Sequence, residues 1–180
     1  PRIKVRLFAG YNYPADIFAR KDFATLAYGQ GVPLGSDLTM AQRGAPTFLA
    51  QAMKDAHSAG LQRLQIIRGW VENGQLKETV FDIACPMGKP DPRTHRCMTA
   101  AAKVDTKTCK INPSVGASEL KVAWRDPDYD AARRAFYYVR VLEEPTCRWS
   151  TYEANLLGKP VRKDLPLTIQ ERAWSSPIWV

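Results

Sequence analysis

Apolar and polar residues alternate along several stretches of the chain, and each of these stretches predicts a β-strand. In residues 3–8, IKVRLF, every second residue is apolar, and residues 119–124, ELKVAW, repeat the pattern. Because side chains alternate between the two faces of a strand, both stretches predict strands with one buried and one solvated face. Residues 46–53, PTFLAQAM, are a short apolar run. Residues 135–143, AFYYVRVLE, are apolar on both faces and predict a central strand covered on both sides.

The pair Asn73-Gly74 predicts a β-hairpin. It lies in the turn ENGQ between two strand-like segments, LQRLQIIRGWV at 61–71 and LKETVFDIAC at 76–85. A type I′ turn needs positive φ at both central residues, which Asn and Gly adopt readily. Residues 86–118 are rich in turn-forming residues and predict a long loop region.

Two segments change to helical spacing. Residues 15–31 place apolar side chains three and four positions apart, which predicts a helix that Asp16 caps and that Gly29 or Gly31 ends. Residues 150–158, STYEANLLG, predict a second short helix. Its Ser and Glu are spaced as a capping box, Ser150 with Glu153, and Gly158 ends it.

The last ten residues, ERAWSSPIWV, predict a strand at the core or edge of a sheet, with Pro177 bending it. Four apolar side chains are expected to pack inside: Trp174, Ile178, Trp179 and Val180. Trp70 and Trp124 lie on other strand patterns and are also expected to be buried. About seven strands with two short helices predict a mainly β fold, an antiparallel Ig-like β-sandwich with two short helical excursions, in a single domain over residues 1–180.

The net charge of +8 raises the question of an acidic partner such as nucleic acid. Basic residues are scattered among acidic ones, so we expect no nucleic-acid partner. No stretch reaches the roughly 18 apolar residues of a membrane helix, so we expect no membrane span.

Four cysteines predict two disulfides. They are widely spaced and form no C-x-x-C pair, and His57 and His95 lie far from each other, so a zinc site is not indicated. Of three pairings, we predict Cys85 with Cys97, which closes a short loop after a strand, and Cys109 with Cys147. Disulfides imply an oxidising compartment, so we expect a periplasmic or secreted protein. The alternative is a set of free buried thiols in a cytosolic protein.

No motif predicts catalysis. Residues 126–130, DPDYD, share the first spacings of a calcium loop but lack its Gly and its final Glu, so a turn with Asp side chains on local amides is expected. Glycines at 31–38 lack the spacing of a P-loop, and no G-x-S-x-G is present. Glu143 and Glu144 are adjacent on a strand and should point apart, and His95 should be exposed. We therefore predict no catalytic residue, no metal ligand and no cofactor in this chain.

Exposed aromatic residues allow a different function. Five tryptophans on a β-sandwich could form a platform on which sugar rings stack, and Trp149, beside a helix start, is the best surface candidate. The alternative function is therefore a free-standing glycan-binding module.

Four segments together closely resemble the C-terminal part of domain-of-unknown-function family 3604, a large bacterial family. The segments are GVPLGSDL at 31–38, the hairpin at 61–85, WRDPDYDAARRAFYYVRVLEEPTCRWSTYEA at 124–154 and IQERAWSSPIWV at 169–180. Full-length members look like exported proteins whose N-terminal part resembles the polymerase-and-histidinol-phosphatase (PHP) metal-dependent hydrolases. The histidine-rich motifs of that part are absent from this sequence, so no catalytic residue carries over.

The resemblance implies that the chain is the C-terminal fragment of a longer protein, a non-catalytic accessory β-domain that packs on an upstream PHP-like domain and helps to shape its active-site mouth. A divalent metal would belong to that upstream domain. The candidate interdomain or binding surface comprises Gly35, Ser36, Asp37, Trp149 and Arg172. An apolar surface near Pro1 would favour the accessory role, and a line of exposed tryptophans far from Pro1 would favour the binding module. The sequence leaves the oligomeric state open.

Overall fold

A computed structural model describes residues 1–39, 44–98 and 102–180. Within these ranges the chain forms the following strands: β1 Lys4–Gly10, β2 Gly31–Pro33, β3 Thr47–Met53, β4 Leu61–Glu72, β5 Gln75–Ala84, β6 Glu119–Arg125, β7 Ala135–Glu143, β8 Thr146–Cys147, β9 Thr168–Ile169, β10 Arg172–Trp174 and β11 Ile178–Trp179. The helices are α1 Phe23–Gly29, α2 Trp149–Leu156 and a 3₁₀ turn at Ile17–Ala19.

The strands form two antiparallel sheets packed face to face. The first sheet has the order β2-β1-β3-β6, and the second has the order β10-β7-β4-β5, with β11 also paired to β7. β8 and β9 form a separate two-stranded ribbon. The prediction of a mainly β, antiparallel sandwich with two short helices is confirmed.

Alternating side chains of both sheets fill the space between them. The first sheet contributes Leu7, Phe48 and Leu120, and the second contributes Ile66 and Val139, all in one buried cluster. The strands predicted at 3–8, 46–53, 119–124 and 135–143 all form, and the inward side of each is apolar. The expectation that 135–143 is covered on both sides holds only in part, because Phe136, Tyr138 and Arg140 on its outer face are half-buried. Asn73 and Gly74 have φ values of 51° and 74°, so the predicted hairpin turn is also confirmed.

A second cluster covers the outer face of the first sheet. Phe8 and Leu49 pack there against Ile17 and against Phe23 of α1. The single helix predicted for 15–31 is wrong, because Arg20 is extended (ψ 139°) and separates the 3₁₀ turn from α1. In one continuous helix, Ile17 and Phe23 would point about 120° apart. The interruption lets both side chains reach Phe8.

The C-terminal segment is only partly in the core. Ile178 is fully buried, but Trp174 is 55% and Trp179 is 43% exposed, so the prediction that both tryptophans are buried is wrong. Ala173 and Ile178 point inward beside Val141 and Tyr137 of β7, so the side chains at 174 and 179 point to the outer face.

Trp70 and Trp124 are intermediate in exposure and pack against the main core cluster, so the expectation that they are buried holds only in part. No helix in the described ranges is long and apolar enough to span a bilayer.

Candidate functional site

The long loop region is held by two disulfides. Cys85 is bonded to Cys97 and Cys109 to Cys147, with Cα atoms 5.6 and 5.5 Å apart, and both predicted pairings are confirmed. The buried carboxylate of Asp82 accepts the backbone N–H of Cys97 at 2.8 Å and fixes the first loop on β5. The second disulfide brings the region around Cys109 to β8, next to the start of α2.

A groove of about 530 Å³ lies beside the first residue of the chain. Its apolar lining comes from Trp149 and Tyr152 of α2, from Ile111 and Ile169, and from the Cys109–Cys147 disulfide, with Pro1 at its edge. We call this surface the Pro1 groove. Its size lies within the usual range for binding clefts.

Helix α2 turns its aromatic side chains toward the groove because its opposite side is anchored. Thr151 is buried and its hydroxyl donates to the carbonyl oxygen of Leu167 at 2.8 Å. Trp149 and Tyr152 are three residues apart and share the other side of the helix, with ring centroids 6.2 Å apart. Their exposed fractions are 73% and 49%. The expected exposure of Trp149 is thus confirmed.

The predicted capping box of α2 is wrong. The residue before the helix is Arg148, and no side chain caps the helix start. Ser150 therefore lies inside the first turn, where its side chain does not meet the orphan N–H groups that a cap would satisfy. The predicted end is confirmed, since Gly158 has φ +62° just beyond the last helical turn.

A fully buried glutamate lies close to the Pro1 groove. Glu143, at the end of β7, accepts a hydrogen bond from the hydroxyl of Ser58, which lines the groove. Burial raises the pKa of Glu143, and the Ser58 hydroxyl and the nearby amino terminus offset part of this increase. The neighbouring Glu144 accepts from Gln62 at 3.1 Å, so the two glutamates have different partners, as expected for adjacent strand residues.

A second concavity, of about 390 Å³, lies at the opposite end of β7. We call it the Trp179 cleft. The side chains that matter for its chemistry are Asp37, Tyr129, Arg134 and Trp179. β7 joins this end, at Ala135, to the Pro1 end, at Glu143, and its length of eight residue steps is roughly 26 Å.

The Trp179 cleft is held in place by backbone bonds between distant segments. The amide of Gly35 donates to the carbonyl of Pro177 at 2.8 Å, and the amide of Trp179 donates to the carbonyl of Ser36 at 3.1 Å. Gly35 has φ +85°, a conformation that suits glycine. The segments GVPLGSDL and IQERAWSSPIWV, far apart in sequence, therefore meet at this end.

The five residues proposed as one surface do not lie together. Asp37 lines the Trp179 cleft, and the preceding Gly35 and Ser36 are bonded to Pro177 and Trp179 at the same end, whereas Trp149 lines the Pro1 groove. Arg172 is exposed on β10, opposite Leu142 of β7. The sequence prediction joined positions that the sandwich places at two separate surfaces.

Residues 126–130 form the predicted turn. One carboxylate oxygen of Asp126 accepts the amide of Asp128 at 2.9 Å, and Asp130 accepts the amide of Ala132 at 2.9 Å. The sequence did not indicate that the other oxygen of Asp126 is buried and binds Arg68 at 2.7 Å. Among the residues that the structure describes, no group of three or more His, Cys, Asp or Glu side chains is arranged to hold a metal ion.

The sequence predicts an exposed His95, but in the structure this residue is only partly exposed. Its ring contacts the ring of Phe81 edge-on, with centroids 5.0 Å apart, and its backbone φ is +54°. Its carbonyl accepts the amide of Asp82 at 2.9 Å, which draws the disulfide-closed loop back onto β5.

Comparison with known families gives one match. The model of the family described as "Protein of unknown function (DUF3604)" matches residues 1–180, the whole chain. No curated protein and no solved structure matches the chain significantly.

Proposed function

Since the chain belongs to the DUF3604 family, we propose that it is the non-catalytic accessory β-domain of an exported, PHP-like metal-dependent hydrolase. In this proposal it packs on the upstream domain of the same polypeptide and shapes the mouth of that domain's active site. A divalent metal would be held upstream. The two disulfides are compatible with an oxidising compartment, and we propose the periplasm or the extracellular medium.

The observation that supports this role is the position of the Pro1 groove. A domain that precedes Pro1 would lie at this end of the sandwich, and this is where Trp149 and Tyr152 expose an apolar aromatic pair. Exposed apolar surfaces of this kind are typical of contact regions, and tryptophan and tyrosine contribute strongly to them. The anchored helix α2 would present both rings without a large rearrangement.

The rigidity of the groove wall also supports docking. The Cys109–Cys147 disulfide forms part of the wall, and Asn155 of α2 donates to the carbonyls of Thr106 and Lys107 at 2.8 and 3.1 Å. The loop is thus tied to β8 by the disulfide and to α2 by Asn155. A preformed surface loses less conformational entropy on binding than a mobile one.

Hydrogen exchange on the intact gene product tests the proposal. Amides of residues 146–157 should exchange more slowly in the intact protein than in the isolated 180-residue chain, because the upstream domain would cover α2. Unchanged exchange in α2 would contradict the docking role.

A binding experiment with matched variants makes the test specific. We expect Trp149→Ala to weaken association of the chain with the separately produced upstream segment by at least about tenfold. Trp174→Ala is the control, because Trp174 is also exposed but lies on β10. If both variants bind as well as the unmodified chain, the Pro1 groove is not the contact surface.

The non-catalytic part of the proposal has its own test. The isolated chain should not hydrolyse phosphate, sulfate or ester substrates, with or without added divalent metal. Turnover that follows stoichiometric metal binding would overturn it.

A further inference from the structure

The Trp179 cleft has the size and lining of a small-molecule site, although the proposed accessory role makes no use of it. Its volume of about 390 Å³ lies within the range of ligand pockets, which combine apolar walls with a few convergent polar groups. It lies at the far end of β7 from the Pro1 groove, so a ligand here would not compete with a docked domain.

Two charged side chains in this cleft have hydrogen-bonding groups that no other described residue engages. Asp37 and Arg134 are both exposed, and neither side chain has a hydrogen bond or ion pair with another residue in the described ranges. The neighbouring Arg133 differs, because it pairs with Glu72 at 3.3 Å and with Asp130 at 3.6 Å. One acceptor group and one donor group that have no partner among the described residues therefore border the same cleft.

Trp179 forms an aromatic wall that continues beyond the cleft. Its ring lies against Phe136, with centroids 5.1 Å apart, and Phe136 is nearly parallel to Tyr138, with an interplanar angle of 16° and centroids 6.3 Å apart. The three rings form a row along the outer face of the second sheet, because residues 136 and 138 alternate with the inward-pointing Tyr137.

Gly69 fixes the position of this row. A Cβ atom at Gly69 would lie 2.2 Å from the ring of Phe136, so the ring rests directly on the glycine backbone of β4. The row is therefore seated on the sheet, and the partly exposed Trp179 stands between it and the cleft.

We propose that the Trp179 cleft binds a saccharide, with the aromatic row as its extension for further sugar units. The C–H face of a sugar ring is apolar and weakly positive, and it complements the negative face of an aromatic ring such as that of Trp179. Sugar hydroxyls both donate and accept, so they can bond to a carboxylate that only accepts and a guanidinium that only donates, here Asp37 and Arg134. A nucleotide would also stack on Trp179, and its phosphates would meet both the attracting Arg134 and the repelling Asp37, so ATP is included in the test.

Calorimetric titration of the 180-residue chain with cellohexaose, maltohexaose, chitohexaose and ATP tests the assignment. We expect at least one of the three oligosaccharides to bind with a Kd below about 1 mM. Trp179→Ala and Asp37→Ala should each weaken that binding by about tenfold or more, and Trp149→Ala should leave it unchanged. Asp37 is exposed, so its variant should fold normally even if Trp179→Ala does not.

The remaining outcomes overturn the proposal. It fails if none of the oligosaccharides binds, if ATP alone binds, or if binding depends on Trp149 and not on Asp37. The last result would place the saccharide in the Pro1 groove. Hydrogen exchange of α2 in the intact protein tests the docking role separately, because it measures protection by the upstream domain without any saccharide.

Discussion

The guanidinium group of Arg68 lies 2.7 Å from the carboxylate of Asp126 inside the core and joins the two sheets. Arg68 belongs to β4 in the second sheet, and Asp126 follows β6 in the first. The hydroxyl of Tyr137 donates to the same carboxylate oxygen at 2.8 Å. Arg68 also lies over the ring of Trp70, 4.6 Å from its centroid.

Removal of the acidic partner should be costly. Asp126→Ala leaves the guanidinium of Arg68 buried without its counter-ion, and breaking such pairs usually costs about 3–5 kcal/mol of unfolding free energy. Urea denaturation followed by circular dichroism measures the loss. Asp164→Ala is the matched control, because its ion pair with Arg162 is solvent-exposed and should not change stability measurably. A loss below about 1 kcal/mol for Asp126→Ala would contradict a role in joining the sheets.

Two side chains of the C-terminal segment, Ile178 and Trp174, should differ in their contribution to the free energy of unfolding. Ile178 is fully buried, so Ile178→Ala should cost about 2–5 kcal/mol. Trp174 points outward and is 55% exposed, so Trp174→Ala should cost no more than about 1 kcal/mol. Thermal melts of both variants provide the comparison. Equal losses would mean that the outward orientation of Trp174 is incorrect.

The two disulfides should contribute unequally to stability. The chain-entropy model gives about 4 kcal/mol for Cys109–Cys147, which are 38 residues apart, and about 3 kcal/mol for Cys85–Cys97, which are 12 apart. Denaturation of the two double Cys→Ala variants measures both values. A larger loss from the shorter loop would show that the buried contacts of Cys97 outweigh loop entropy.

Glu143 should make stability fall as the pH rises. Its pKa is raised in the folded protein by burial, so the folded state holds the proton more tightly than the unfolded state. Well below the usual pKa of 4.5, Glu143 is protonated in both states and its titration does not change stability. As the pH rises above 4.5, the unfolded state loses its proton first, and the free energy of unfolding falls until the raised pKa of the folded state has been passed. Glu143→Gln should therefore stabilise the protein at pH 7, and the gain should disappear in acid.

Glu119→Gln provides the opposite control for this measurement. The pKa of Glu119 is lowered, first by the amide of Gln51 and also by Lys121, so its carboxylate stabilises the fold above its usual pKa and loses this effect as the pH falls. Glu119→Gln should lose stability at pH 7 and not in acid. If both variants respond alike across the pH range, burial does not control the titration of Glu143.

Local patterns predicted the strands well because the alternation of apolar and polar side chains along a strand follows directly from its one core-facing side. The alternation around Leu120 and the turn at Asn73-Gly74 specify their geometry within a few residues, and both are confirmed. The disulfide pairing was also accessible, since Cys85 ends a strand and Cys97 closes the loop that follows.

Predictions failed where long-range packing decides the outcome. Trp174 is a large apolar residue of the kind that usually packs in a core, but Ala173 points inward opposite Val141 and so turns Trp174 outward. The break at Pro177 then lets Ile178 point inward opposite Tyr137. The grouping of Asp37 with Trp149 failed because only the assembled sandwich determines at which end of β7 each residue lies. Neither Arg68 nor Asp126 carries a local signal of burial, because the pair forms between sheets.

The hydrogen bonds that hold β11 between β7 and residues 35–38 have a consequence for biosynthesis. These bonds involve the amide and carbonyl of Trp179. The Trp179 end of the sandwich can therefore close only after residue 179 has been added, and the β7 edge stays open while most of the chain is already made. Such late closure would leave time for a partly folded chain to be held by chaperones before its final strand completes the sheet.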